Sequence, residues 1–291
     1  MRTFKEVNIP QWNRTYLGDL ERKAKNAPHY LLRRGMAMVR SARSPWANVL
    51  PRTTGIAIIR EFGIPGTREV VELCRTILTR RVDEGYQRKS GHKTYRQSIG
   101  KDEDLIGNEA LLSFVLSPPI LEIAMGYLRE VPVLQSLELW RSVPVESSIS
   151  GSQYYHQDYI DRRQVKFFVY LNDVTSQDGP LMVLPASKSA HLREKTQYKG
   201  GALQDEEVFR HVDKASEIEC LGKAGDIIVA DTSRCFHYGS RCYAGERWVL
   251  MFHFTSFLVG LRRKDSVPAA VPSCVGDSMH RLVLAPPEVV C

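Results

Sequence analysis

Residues 165–184, VKFFVYLNDVTSQDGPLMVL, decide how the chain is read. The first seven (165–171) are β-branched and aromatic, the composition of a strand. Residues 172–179 supply turn formers, and 180–184 resume an apolar run. Upstream, Val133–Ser142 alternates well enough for a strand. Downstream, Ile218–Cys220 and residues 226–230 and 248–257 are short apolar runs set off by Gly and Asp turns. Short strands at this spacing predict a mainly β sandwich or jelly roll.

Immediately before that stretch stands YYHQD, residues 154–158. On a strand, residues i and i+2 point to one face, so His156 and Asp158 converge on a common point. Taken alone, a His-x-Asp pair equally describes a hydrogen-bonded surface turn. Downstream, a turn and apolar strand (residues 225–236, GDIIVADTSRCF) lead to His237, and Arg247 follows ten residues later at the head of another strand. A His-x-Asp…His set is the facial triad of non-haem Fe(II) oxygenases, which leaves coordination positions open. An arginine at the start of the next strand can fork onto a carboxylate in two parallel hydrogen bonds. A dicarboxylate co-substrate needs that geometry.

The remaining chain reads as a helical layer and two flanks. Residues 54–62 form a strand. Residues 67–81 carry helical spacing at Val70, Val71, Cys74, Ile77 and Leu78. Residues 108–128 hold two helical pieces split by Pro118-Pro119. Residues 83–107 are polar and read as a loop. Residues 186–215 read as a polar excursion or lid, and 263–291, with four prolines, as an extended tail.

Charge divides the chain unevenly. Residues 1–52 hold eleven Lys/Arg and three acids, a net +8 of the total +7, so residues 53–291 carry −1. The division expected is a basic helical extension (1–52), an oxygenase domain (53–262) and the tail (263–291). The extension predicts two amphipathic helices, about 15–26 and 29–42, interrupted at Pro28. Three readings compete for it: a layer packed on the body, a surface docking on an anionic membrane, and nucleic-acid contact. No run of about 18 apolar residues predicts a membrane-spanning helix. The N-terminal residues are not followed by an apolar signal region, so the expected location is cytoplasmic. Six cysteines at 74, 220, 235, 242, 274 and 291 form no Cys-x-x-Cys pair and are read as free thiols.

With these motifs placed, the chain resembles the phytanoyl-CoA dioxygenase family of 2-oxoglutarate-dependent oxygenases. The order His156-x-Asp158, His237, Arg247 is that family's. Residues 178–191, DGPLMVLPASKSAH, resemble its "NGPL-x-x-(I/L)-P-G-S-H" stretch, and residues 223–231, KAGDIIVAD, its turn and strand before the distal histidine. Ala186 replaces a usual Gly, and Gly239 stands where the family often has Ser or Thr, with Ser240 next.

The resemblance implies a double-stranded β-helix (jelly-roll, cupin-like) core with flanking helices. It implies Fe(II) held by His156, Asp158 and His237, with 2-oxoglutarate and O2 as co-substrates. Arg247 would hold the distal carboxylate of 2-oxoglutarate, with Lys166 and Ser240 as further contacts. For Lys166 the competing reading is a solvated outer-face lysine. Halogenating relatives have Gly or Ala at the carboxylate position, so Asp158 favours hydroxylation, with release of succinate and CO2. Trp140, Arg141, Gln153 and Tyr155 flank the site as candidate substrate contacts, some of them core instead. His191, His211 and His253 read as structural. The expected substrate is a small molecule, an acyl group or a lipid- or carrier-linked compound, without nucleic acid. Peripheral membrane contact through the basic extension stays open. The alternatives are a non-catalytic metal- or ligand-binding β-barrel and a nucleic-acid-directed oxygenase.

Overall fold

The computed structural model describes residues 16–85, 94–146, 149–259 and 278–284. Elements run α1 (Tyr16–Lys25), α2 (Ala27–Ser41), β1 (Ile56–Ile59), α3 (Thr67–Asp83), β2 (Arg96–Ser98), α4 (Asp102–Leu105), α5 (Glu109–Val115), α6 (Pro118–Leu128) and β3 (Val133–Ser142). They continue with β4 (Gln164–Tyr170), β5 (Leu181–Val183), α7 (Ala186–Thr196), α8 (Asp205–Phe209), β6 (Ile218–Cys220), β7 (Ile227–Ala230), β8 (His237–Tyr238), β9 (Arg247–Thr255) and α9 (Ser278–Leu284). Two antiparallel sheets result, in the orders β1-β7-β4-β9-β3-β2 and β6-β5-β8. They pack as an open two-sheet jelly roll, not a closed barrel.

Strand alternation sorts side chains onto two faces of the large sheet. On the outer face, Val165, Phe167, Leu250, Phe252 and Phe254 pack against the helical layer, with Leu78 of α3, Leu112 of α5 and Ile120 of α6 in the same core. Phe167 stacks on Phe252 with centroids 4.8 Å apart. On the inner face, Trp140, Tyr170, Ile228, Val249 and Met251 meet Leu181, Val183 and Cys220 of the small sheet. Gln164, Lys166 and His253 share that inner face, since Lys166 pairs with His253 and Gln164 with Thr255.

Two turns hold the sheets in register. Gly225 has φ +90°, and a Cβ there would lie 2.3 Å from the Phe62 ring. Its neighbour Asp226 is 2% exposed. Asp226 accepts from Glu61 N at 2.9 Å, Lys223 N at 2.9 Å and Arg60 Nη1 at 2.8 Å. One carboxylate therefore ties the chain after β1 to the turn before β7. Gly179 has φ +67°, and a Cβ there would meet Cys242 Sγ at 2.8 Å.

Helices α1 and α2 fall where the pattern places them, with Pro28 at the start of α2. Arg33 is fully buried. It donates to Val131 O at 2.7 Å and Leu282 O at 2.6 Å and lies 4.9 Å from the Phe257 ring centroid. Burial lowers its pKa to about 10, opposed by Glu130. The layered reading of the extension thus describes α2, whose other face leaves Leu31, Leu32, Met38 and Val39 exposed.

Three stretches differ from their sequence reading. The supposed loop 83–107 contains β2 and α4, with residues 86–93 outside the described set. The supposed excursion 186–215 contains α7 and α8, because Leu192 and Val208 pack on Tyr155, Leu203 and Phe236. The tail contains α9, whose Met279, Val283 and Leu284 enter the main core. The rest of 263–291 lies outside the described residues. Among the described residues no single helix is long and apolar enough to cross a membrane. Cys74, Cys220, Cys235 and Cys242 are free thiols, as expected.

Candidate metal centre

The backbone brings the two halves of the His-x-Asp…His set together. His156 and His237 form an antiparallel bridge, with N–H···O distances of 3.1 and 3.0 Å. Asp158 N donates to Thr232 O at 2.9 Å. Possible ligand atoms of His156, Asp158 and His237 lie within 4.8 Å of one another. His156 Nε2 is 4.0 Å from Asp158 Oδ1, and His237 Nε2 is 3.7 Å from Asp158 Oδ2.

Both imidazoles are oriented by the main chain. His156 Nδ1 meets Tyr154 O at 2.9 Å, and His237 Nδ1 meets Cys235 O at 3.0 Å. A carbonyl can only accept, so each Nδ1 carries the proton and each Nε2 lone pair faces the site. Burial, with His156 beside it, lowers the His237 pKa to about 3 and keeps the ring in its neutral, ligating form. Burial pushes the Asp158 carboxyl up, but Lys166, His237 and His156 outweigh it and hold it well below the ordinary range. Two imidazole Nε2 atoms and one ionised carboxylate grouped this way suit a divalent ion such as Fe(II).

The inner face of the large sheet supplies the surroundings. Asp158 Oδ2 accepts from Lys166 Nζ at 2.6 Å and Gln164 Nε2 at 3.2 Å. Gln164 Oε1 meets His253 Nε2 at 2.9 Å, so the buried histidine is satisfied within the network. Arg247 is 5% exposed. It donates from Nη2 to Ser240 Oγ at 3.0 Å. Its Nε is buried without a hydrogen-bond partner. Among the described residues no carboxylate pairs with this guanidinium. A buried, uncompensated arginine is costly unless an anion completes it, and a carboxylate fits the fork. Gly239 lies against this guanidinium, since a Cβ there would be 3.0 Å from Arg247 Nη2.

The other expected contacts divide. Ser240 is buried and bonds Arg247 and, at 2.8 Å, Ser142 Oγ. Lys166 does lie inside, and its ammonium bonds Asp158 Oδ2. The register explains this, since β4 aims Lys166 and Gln164 together at the ligand loop. Trp140 shares the inner face, opposite Val249, among apolar neighbours.

Arg141, paired with Trp248, falls on the outer face and bonds Gln97 Oε1 at 2.6 Å, so it does not reach the site. Gln153 caps a turn, accepting from Ser150 N at 3.0 Å and donating to Ser240 O at 2.9 Å. Tyr155, one residue from His156, points to the opposite side. There it is fully buried against Phe209 and Tyr238, with its hydroxyl on Glu217. Gln164 was not foreseen. A glutamine heading an apolar strand was its only signal.

A sequence model of the phytanoyl-CoA dioxygenase (PhyH) family matches residues 52–242. No curated protein matches the chain. Among solved structures, the non-heme alpha-ketoglutarate-dependent epimerase SnoN from nogalamycin biosynthesis aligns at TM-score 0.52 and 17% identity, over 76% of this chain and 84% of its own. EctD from S. alaskensis aligns at TM-score 0.52 and 14% identity, over 78% and 82%. The carbocyclase SnoK of the nogalamycin pathway, also alpha-ketoglutarate dependent, aligns at 0.50 and 14%, over 75% and 85%. At these identities the likeness speaks for the fold alone.

Proposed function

The chain belongs to the phytanoyl-CoA dioxygenase family of Fe(II)/2-oxoglutarate-dependent oxygenases, and on that premise we propose that it hydroxylates an unactivated C–H bond of a small-molecule, acyl or carrier-linked substrate. The observation that carries this reading is the pairing of two features in one interior. One is a triangle of His156, Asp158 and His237. The other is a buried Arg247 lacking a carboxylate partner among the described residues. Bound Fe(II), 2-oxoglutarate and O2 would supply the oxidising power, with succinate and CO2 as co-products.

The protein's own work is positioning. His156 and His237 would present fixed Nε2 atoms to the metal. Lys166 and Gln164 would hold Oδ2 of Asp158 and so fix the carboxylate beside the two histidines. Arg247, steadied by Ser240, would fix the distal carboxylate of 2-oxoglutarate. The apolar wall of Trp140, Tyr170, Val249 and Met251 would keep water from the reacting atoms. An intact carboxylate ligand supports oxygen insertion over halogenation. SnoN and SnoK are described as an epimerase and a carbocyclase, so product analysis must accompany turnover.

The test is succinate formation from 2-oxoglutarate by the full-length protein, with and without Fe(II). Asp158→Ala should abolish it while circular dichroism shows an intact fold. Near-normal iron-dependent turnover in that variant would remove Asp158 from the metal site. Absence of any turnover in the wild type, with every candidate substrate, would leave a ligand-binding protein instead.

A further inference from the structure

A cavity of about 710 Å³ opens beside Asp158, and its wall is cationic. Lys23, Arg162, Arg163, Arg193, Lys199 and Arg234 all line it. They come from α1, the segment before β4, α7 with the turn after it, and the segment before β8. Three acids share the wall, and each is engaged. Asp158 is held by Lys166 at 2.6 Å. Asp161 accepts from Ser256 N at 2.8 Å. Glu130 accepts from Phe257 N at 2.9 Å.

Among the described residues, Arg163, Arg193, Lys199 and Arg234 form no ion pair with a carboxylate. Like charges gathered this way repel, and an anion relieves the repulsion. The effect reaches Arg52, whose pKa falls to about 10 through burial and the neighbouring Arg163, Arg129 and Arg234. Arg193 is lowered too, by burial and then by Arg234.

The cluster is tied to the metal ligands by one residue. Gln157 lies between His156 and Asp158. Its Oε1 accepts from Arg193 Nε at 3.1 Å, and its Nε2 donates to Arg234 O at 2.8 Å. An anion gripped by these arginines would therefore sit about one side chain from the reacting centre.

We propose that this cavity is an anion subsite that anchors a phosphate group of the substrate through Arg163, Arg193 and Lys199. Arg234 Nη1 is taken by Arg52 O and Tyr127 Oη and Arg193 Nε by Gln157, so the Arg163 guanidinium, the terminal nitrogens of Arg193 and the Lys199 ammonium are left to donate, a set that matches a dianion with three accepting oxygens better than a single carboxylate. Arg247 lies apart from the cavity wall, so the subsite is distinct from the place assigned to 2-oxoglutarate.

The inference rests on the oxygenase reading, and the two fail separately. Inorganic phosphate is titrated calorimetrically into full-length protein saturated with 2-oxoglutarate, at constant ionic strength. Acetate and sodium chloride serve as parallel arms. Phosphate should bind, and Arg163→Gln and Arg193→Gln should each weaken it about tenfold. Arg163 is exposed and Arg193 only partly enclosed, both lining the cavity, and circular dichroism checks that the variants fold. Phosphate heat no greater than that of chloride, or unchanged affinity in both variants, would overturn the subsite. Acetate binding as tightly as phosphate would overturn the phosphate assignment in favour of a carboxylate. Phosphate binding without any iron-dependent succinate formation would sink the oxygenase reading and leave the subsite standing.

Discussion

The two faces of the large sheet are built from the same strands and serve opposite ends. On β9, Leu250, Phe252 and Phe254 look outward into the helical core, while Arg247, Val249, Met251 and His253 look inward. On β4, Val165, Phe167 and Val169 look outward and Gln164 and Lys166 inward. Between Val165 and Val169 of β4 and Leu250 and Phe254 of β9 the outer face buries apolar and aromatic area, and so carries stability. The inner face carries a buried arginine, glutamine and histidine and a partly buried lysine, each costly to desolvate. A fold keeps such groups inside only where they hold one another or a ligand. The contrast predicts that outer-face changes act on stability and inner-face changes on ligand requirement.

Phe252→Ala gives the largest effect. It should cost about 3–5 kcal/mol of unfolding free energy, because a stacked, fully buried ring leaves a cavity. Denaturant titration reads this, and a loss below about 1 kcal/mol would mean that the helical layer relaxes to fill the space.

Arg247→Leu tests the inner face. It should raise the 2-oxoglutarate KM roughly 30- to 150-fold, the loss of a charged double hydrogen bond of about 2–3 kcal/mol. Its melting temperature should not fall, since the buried guanidinium lacks a carboxylate partner among the described residues. An unchanged KM, or unfolding, would end the division of labour at that residue.

Asp104→Asn probes the outer layer electrostatically. Asp104 accepts from Arg81 Nε at 2.8 Å, Arg80 Nη2 at 2.6 Å and Lys101 N at 3.1 Å, joining α4 to α3. Burial pushes its carboxyl up, but these partners hold it below the ordinary value. A depressed folded pKa stabilises above the unfolded value near 3.9, and the benefit disappears as pH falls through the folded one. The variant should cost about 1.5 kcal/mol at pH 7 and progressively less below about pH 4. A cost that does not depend on pH would assign the contact to packing.

Lys166→Met gives the smallest effect. It should weaken Fe(II) binding about tenfold, measured by metal titration, because Asp158 loses the partner that orients it. Tighter binding would show that the lysine competes with the metal instead of positioning its ligand.

The chain itself announced its strands, its helical layer and its four-residue set of His156, Asp158, His237 and Arg247. Those features depend on local alternation and on spacing along the chain, which sequence records directly. Tyr155 and Arg141 were misread for the same reason: proximity along the chain says nothing about face until the register is known. Helices α7 and α8 escaped because their apolar residues are few, and α9 because it is short, so tertiary contacts supply what propensity lacks.

Sequence alone therefore determined the candidate ligand set, the jelly-roll class and the glycine turns at 179 and 225, since each depends on residue type and short-range geometry. Only the tertiary structure decided that Lys166 faces Asp158, that Arg247 stands buried beside Ser240, and that arginines from three separate segments meet at one cavity. Those outcomes depend on strand register and sheet packing. Contacts across scores of residues are set there by the burial of the whole core and by no local signal.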